Sequence, residues 1–254
     1  MNVPIKALVR PPSQNFCNAL SEHPDAPSID IDKARQQHSA YCEALIQAGL
    51  TVEVLPPLDD YPDSVFIEDN AVILGDRAVL TSMKETSRRG ESAHLAEALQ
   101  SRLPVTTLPA ETCIDGGDVL QTEDAVFVGL SQRTNEQAVE ALRSLTPKTV
   151  IPVRVNSGLH LKTSASYLGN GLMVIHSSHI DPEPFRTFEW LEVTEDEAYA
   201  ANCLAIGDRV ILPAGFPQLE KRLQDCGMQT LPIDMSEFQK ADGGITCLSL
   251  LIRD

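Results

Sequence analysis

The strongest constraint on the fold is a pattern that recurs along the chain: two apolar runs around a tight turn, then a helix, then one more strand. Residues 68–81 predict a β-hairpin turning at Gly75-Asp76, because short strand-forming runs on either side of Gly-Asp favour that connection. An Arg- and Glu-rich stretch at 89–102 predicts a helix, and 105–108 a strand. The same order returns at 117–129, 135–144 and 149–153. A third copy has a hairpin at 162–174 around Gly169-Asn170-Gly171, a helix-poor stretch and a strand at 190–193. The fourth runs through hairpin 202–213, helix 218–225 and strand 229–233.

The two ends of the chain complete a fifth copy. Residues 6–10 predict a strand stopped by Pro11-Pro12, and 50–55 a second strand ended by Pro56-Pro57. Between them, residues 31–48 predict an amphipathic helix with Ala34, His38, Tyr41, Leu45 and Ala48 on one stripe and Gly49 as its stop. Residues 13–30 are polar and Pro-containing, long enough for a functional lid. The apolar tail 243–253 opens a hairpin but has no helix of its own, and the N-terminal strand, helix and strand supply what it lacks. Four repeats of roughly 40–48 residues plus one split across the termini indicate a ring, since an open array needs capping units. The expected fold is α/β: a five-bladed ββαβ propeller, one domain over residues 1–254, closed by pairing of the N- and C-terminal segments in one blade. A generic α/β sheet is the alternative, but it does not repeat hairpin, helix and strand in every unit.

Composition narrows the function classes. The chain has 254 residues, is 43% hydrophobic and carries a net charge of −16, from 36 acids against 20 bases. Such a surface repels nucleic acid and anionic membranes and attracts small cations. No apolar run reaches the ~18 residues of a membrane span. The start, Met1 to Lys6, lacks the apolar core of a signal peptide. The six cysteines (Cys17, Cys42, Cys113, Cys203, Cys226 and Cys247) form no Cys-x-x-Cys pair, which points to reduced thiols and a cytoplasmic location.

In a ring of equivalent blades, equivalent positions meet at the axis. The starts of the five hairpins carry Glu68-Asp69, Asp115-Gly116-Gly117-Asp118, His160, Asn202 and Cys247. A cysteine, a histidine and carboxylates thus converge without any short-range motif, the constellation of a nucleophilic thiol enzyme. Cys247 follows the Gly243-Gly244 corner; an inert buried cysteine is the alternative, and Cys203 its nearest rival. An isolated histidine such as His160 is often a satisfied core residue, but the repeat sets it at the axis. His176 and His179 have i, i+3 metal spacing with no third ligand apparent, so they are read as surface residues and no metal site is expected. The stretch 59–69 packs five acids into eleven residues, and beside apolar neighbours it would bind a planar cation through its N–H donors. Arg88, Arg89 and Arg133 follow the hairpins of two successive blades and could grip a carboxylate on the same ligand.

The motifs Pro62-Asp63-Ser64-Val65-Phe66-Ile67-Glu68-Asp69, Ser87-Arg88-Arg89-Gly90-Glu91, Ile114-Asp115-Gly116-Gly117-Asp118, Arg133-Thr134-Asn135, Leu159-His160-Leu161-Lys162 and Asp242-Gly243-Gly244-Ile245-Thr246-Cys247 resemble those of dimethylarginine dimethylaminohydrolases. These belong to the guanidino-modifying, or amidinotransferase, superfamily, whose fold is the five-bladed pentein propeller. The resemblance implies Cys247 as nucleophile, His160 as general acid/base and Asp115 as the residue that orients the histidine. It implies Asp63, Glu68 and Asp69 near the substrate amine and guanidinium, Phe66 near the substituted nitrogen, and Arg88 and Arg133 on the α-carboxylate. Leu20 matches a lid residue. Ala241 is a departure, standing where an isoleucine lines the amine pocket of a relative.

The reaction so implied is hydrolysis of asymmetric dimethylarginine or monomethylarginine to citrulline plus dimethylamine or methylamine, through a covalent thiouronium on cysteine. Hydrolysis of N-hydroxyarginine, arginine or citrulline is the alternative on the same scaffold, and a non-catalytic arginine-derivative binder is a second. The expected partner is the small-molecule substrate, with no nucleic acid or membrane and a homodimer left open. No cofactor is expected to be required, though adventitious zinc at Cys247 and His160 would inhibit.

Overall fold

The computed structural model describes residues 6–252, so the expectations placed on Met1 to Ile5 and on Arg253 lie outside the described residues. Fifteen strands form five separate three-stranded sheets among these residues, and each sheet has the same internal plan. The first strand pairs antiparallel with the second, and the second pairs parallel with the third. A parallel return needs a crossover, and in four of the five sheets an α-helix supplies it.

In chain order, β1 (Lys6–Val9), α1 (Ile31–Gln47) and β2 (Thr51–Val54) come first, with β1 and β2 parallel. Then follow β3 (Ala71–Leu74), β4 (Arg77–Leu80), α2 (Glu91–Gln100) and β5 (Val105–Thr107). The next set is β6 (Val119–Gln121), β7 (Ala125–Leu130), α3 (Glu136–Arg143) and β8 (Thr149–Arg154). After the single-turn helix α4 (Leu161–Ser164) come β9 (Ala165–Gly169), β10 (Leu172–Ile175) and β11 (Glu189–Glu192). The set β12 (Leu204–Ile206), β13 (Arg209–Pro213), α5 (Pro217–Asp225) and β14 (Gln229–Ile233) leads through the short α6 (Ser236–Gln239) to β15 (Ser249–Ile252). β15 pairs antiparallel with β1, Leu250 opposite Leu8, so one sheet is built from both ends of the chain.

Glu68, Asp69, Asp118 and Cys247 were expected at the starts of strands. They lie in 3-10 turns just ahead of them, at Ile67–Asn70, Gly116–Asp118 and Thr246–Leu248. Lys162, expected in a strand, lies in α4. Apolar alternation begins only after these polar residues, so the pleat does too. Between β10 and β11 the connection holds only the turn Glu183–Phe185, as the helix-poor reading expected. Pro182 and Pro184 deny a helix two N–H donors there, and Phe185 is buried in place of a helix face.

The helices bury the stripes read from the sequence. Ala34, His38, Tyr41, Leu45 and Ala48 are all buried, and the Asp30 carboxylate caps α1 by accepting from the Lys33 N–H at 3.0 Å. Asn135 caps α3 in the same way, accepting from Ala138 N–H at 3.2 Å. The chain divides into two compact units. One is Glu68–Ala201, holding the three sheets from β3 to β11; the other joins the chain up to Ile67 with the chain from Asn202. In the first, a core of mainly valine and leucine (Val72, Val79, Val126, Val128, Leu142) lies between the sheets of β3–β5 and β6–β8. A second core, where Phe127 meets Phe185 at 4.5 Å between ring centres, joins β6–β8 to β9–β11.

Candidate active site

The expected site residues fall into two groups, one in each unit. In the unit Glu68–Ala201 the centre is His160, which immediately precedes α4 and is 4% exposed. Its Nε2 lies 3.1 Å from Asp115 Oδ2. Asp115 is wholly buried, and its Oδ1 has no hydrogen-bond partner among the described residues. The segment is held by Asp118, whose Oδ1 accepts from the Leu161 N–H at 2.9 Å. Asp118 Oδ2 accepts from the Ser131 and Thr134 hydroxyls, each at 2.6 Å.

The imidazole lies over Gly117. A Cβ there would stand 2.5 Å from His160 Nδ1 and 3.1 Å from Asp69 Oδ1, so this position must be glycine for the ring to sit as it does. The Gly117 N–H also donates to Asp69 Oδ1 at 3.0 Å. Arg88 Nη1 donates to Asp69 Oδ2 at 2.8 Å, while its Nε and Nη2 fork onto the two oxygens of Glu91 at 3.0 and 2.9 Å. Arg88 is thus buried and taken up by two carboxylates. Arg133 is more open: its Nη1 lies 3.6 Å from Asp115 Oδ2 and its Nε 3.6 Å from Glu85. Glu68 pairs with Lys162.

These charges set the proton affinity of His160. Burial alone would lower its pKa, but the carboxylates of Asp69, Asp115 and Asp118 outweigh that cost and raise it to about 9. Asp69 answers in the opposite sense. Burial would raise it, yet His160, Arg88 and the Gly117 N–H hold it below the ordinary carboxyl range. For Asp118 burial wins and the carboxyl is pushed up, against the pull of His160 and its hydrogen bonds. Asp69, Asp115 and His160 bring three donor atoms within 4.8 Å of one another. They are already bound to one another or to Arg88, which suits a proton-transfer pair better than an ion.

In the other unit, Cys247 is half-buried in its turn and accepts a hydrogen bond from the Gly244 N–H, N to Sγ 3.4 Å. Asn202 braces this turn from both sides: its Oδ1 accepts from the Thr246 N–H at 2.9 Å and its Nδ2 donates to the Thr246 hydroxyl at 3.1 Å. Asp63 Oδ1 accepts from the Leu20 N–H at 3.1 Å, so two expected substrate contacts are joined, and Leu20 itself is exposed. Phe66 is buried with Phe16 at 6.0 Å, its ring edge lying where a side chain on Gly243 would have to stand. Ala241 is buried. Sequence reasoning missed the supporting roles of Asp118, Glu91, Lys162 and Asn202. Asp118, Glu91 and Lys162 lie inside the quoted motifs and Asn202 at a hairpin start, but apart from the Arg88–Glu91 pair, three residues apart, these hydrogen bonds span separations that leave no local period.

His176 and His179 need a correction. Sequence spacing reads them as surface residues without a third ligand. His176 is buried, and Glu195 Oε2 lies 3.3 Å from the Nε2 of each. Sequence spacing could not find Glu195, because it comes from the segment after the next strand.

Five sheets of hairpin plus parallel strand, with a buried histidine–carboxylate pair in one unit, mark the guanidino-modifying class. The family model described as "N,N dimethylarginine dimethylhydrolase, eukaryotic" matches residues 13–248. A Pseudomonas aeruginosa protein named N(G),N(G)-dimethylarginine dimethylaminohydrolase is 33% identical over 249 residues, covering 96% of this chain and 97% of that one. A Streptomyces coelicolor protein of the same name is 36% identical over 255 residues, covering 98% and 97%. The solved structure of a cysteine-to-serine variant of the Pseudomonas aeruginosa enzyme, complexed with citrulline, superposes with a TM-score of 0.92 at 30% identity, over 98% of this chain and 100% of that one. The chain belongs to the dimethylarginine dimethylaminohydrolase family.

Proposed function

We propose that this protein hydrolyses asymmetric dimethylarginine and monomethylarginine to L-citrulline plus dimethylamine or methylamine. The observation that carries the reading is the buried His160–Asp115 pair in a chain of this family, and the carboxylates around His160 push its pKa up to about 9. A guanidinium is resonance-stabilised, and its amine leaves only when protonated. Cys247 thiolate attacks the central carbon, and the bound cation favours the ionised thiol. The carbon–nitrogen bond to the amine then breaks as His160 delivers its proton to the departing nitrogen. A thiouronium remains on sulfur. Water adds to its carbon, returning one proton to His160; the carbon–sulfur bond then breaks to release citrulline and the thiolate, with the remaining hydroxyl proton passing to solvent or to the freed amine.

Asp115 occupies His160 Nε2, which leaves Nδ1, above Gly117, to carry the transferred proton. Glu68, Asp69 and Asp63 take the guanidinium side, Phe66 and Ala241 the methylated nitrogen, and Leu20 the lid. Arg133, with Arg88 anchored by Glu91, takes the α-carboxylate. The same reading makes residues 1–254 one catalytic domain, a closed five-bladed propeller with no required cofactor. The recurring sheet plan and the β15–β1 pairing support closure. A cytoplasmic location goes with six free thiols, and no helix among the described residues is long and apolar enough to cross a membrane. Zinc held by Cys247 and His160 would inhibit.

The test is product analysis with asymmetric dimethylarginine, monomethylarginine, N-hydroxyarginine, arginine and citrulline supplied separately to chelator-treated protein. Mass spectrometry should show citrulline with dimethylamine from the first, and none with Cys247→Ser. Turnover of another compound alone would move the substrate. Near-native turnover by Cys247→Ser would rule out the covalent route.

A further inference from the structure

Outside this cluster the structure gathers a second set of donors, His176, His179 and Glu195. We propose that they form a binding site for a divalent zinc-class ion, distinct from any zinc held by Cys247. The topology explains the convergence. β10 and β11 are parallel neighbours, Ile175 opposite Glu192, so the residues following each strand leave the sheet at the same end. His176 follows β10 directly, and Glu195 opens the 3-10 turn Glu195–Ala201 after β11. The turn at residues 176–179, closed by His179 N–H on the His176 carbonyl at 3.1 Å, stacks the two imidazoles 3.7 Å apart and within 13° of parallel.

The distances to the carboxylate fit an ion, and one of the two parallel imidazoles must turn for both nitrogen lone pairs to meet it. Tetrahedral zinc with imidazole nitrogen and carboxylate oxygen at ~2.0–2.1 Å sets its ligand atoms about 3.3 Å apart. Both Nε2 atoms lie 3.3 Å from Glu195 Oε2. His176 Nε2 is fully buried, accepts no hydrogen bond among the described residues, and faces this carboxylate. Its other nitrogen, Nδ1, lies 3.1 Å from the Ser178 hydroxyl, the kind of outer partner that fixes the tautomer with the Nε2 lone pair turned to a metal. Two imidazoles and one carboxylate select zinc-class ions over magnesium and leave a fourth position open.

The site is tied to the His160 segment by backbone. The His179 carbonyl accepts from Asn156 and Ser157 N–H at 2.7 and 3.0 Å, and the His176 N–H donates to the Ser164 carbonyl at 2.8 Å. An ion here therefore pins the chain on both sides of His160.

The full chain carrying Cys247→Ser, which removes the competing thiol, is titrated with Co2+ and then Zn2+. One equivalent of Co2+ should give visible ligand-field bands without a sulfur charge-transfer band, displaced by Zn2+ and not by Mg2+. Amide exchange over residues 156–164 should slow with Zn2+. His179→Ala and the exposed Glu195→Gln should each abolish the bands with circular dichroism unchanged, and Ser178→Ala should weaken binding about 10–100-fold. Absence of binding in Cys247→Ser, or binding that survives both Glu195→Gln and His179→Ala, overturns the site. Equal displacement by Mg2+ overturns its class, and unchanged exchange overturns its link to His160. Glu195→Gln in the otherwise native chain should leave methylarginine hydrolysis unaltered, so this outcome and that of the hydrolase assay are read separately.

Discussion

His160 shows how one residue draws its chemistry from neighbours that do not all touch it. Asp115 makes the hydrogen bond, while Asp69 and Asp118 add charge. Its pKa near 9 in the folded state exceeds the 6.5 of an unfolded chain, so its protonation stabilises the fold below about pH 6.5, and that contribution is lost as pH rises through 9. We expect the His160 imidazole to titrate near 9 by NMR in the ligand-free protein, and Asp69→Asn to lower that midpoint. A midpoint at or below 6.5 in the native chain would contradict the charge arrangement. Gly117→Ala tests the steric side. The new Cβ must displace the imidazole or Asp69, so kcat should fall on the order of 10²-fold, as for an ångström-scale misplacement. The loss should exceed the accompanying change in Tm.

At the scale of elements, the helices were legible because their apolar stripes and caps are local. Asp30 sits one residue before α1 with its carboxylate on the Lys33 N–H, and Asp30→Ala should cost about 1 kcal/mol in denaturant unfolding. The same helix carries an acid-sensitive residue. Burial lowers the pKa of His38 to about 4, with the Arg10 backbone opposing. Its folded value lies below the unfolded 6.5, so the neutral form supports the fold above pH 6.5 and that support is lost as pH falls through 4. His38→Leu should flatten the decline in Tm between pH 6.5 and 4, and an unchanged slope would place the acid sensitivity elsewhere. Strand starts were less legible. Turn residues such as Asp69 and Cys247 look like the first residues of a strand until the backbone hydrogen bonds are seen, since polar-to-apolar order is the same in both.

For the molecule as a whole, the fifth sheet depends on residues at opposite ends of the chain. β15 pairs with β1, and the Tyr41 hydroxyl of α1 meets the Ser249 hydroxyl at 2.7 Å in a fully buried contact. Tyr41→Phe should cost about 1 kcal/mol, the worth of one hydrogen bond plus the orphaned partner. A chain ending at Leu248 should lose cooperative unfolding, because β1 would then expose an unpaired apolar edge. A truncated chain with native Tm would show that the terminal strand is dispensable.

The sequence by itself determined the repeat, the strand and helix order, the buried stripe of α1, the split fifth unit and the family. All of these rest on local periodicity and on short motifs whose residues are neighbours in the chain. The tertiary structure alone decided that Asp69 meets Arg88, that Asp118 anchors the His160 segment, and that Glu195 meets His176 and His179. Each of these depends on side-chain distance or on parallel strands ending at the same edge. Such proximity is created by packing, and no spacing in the sequence encodes it.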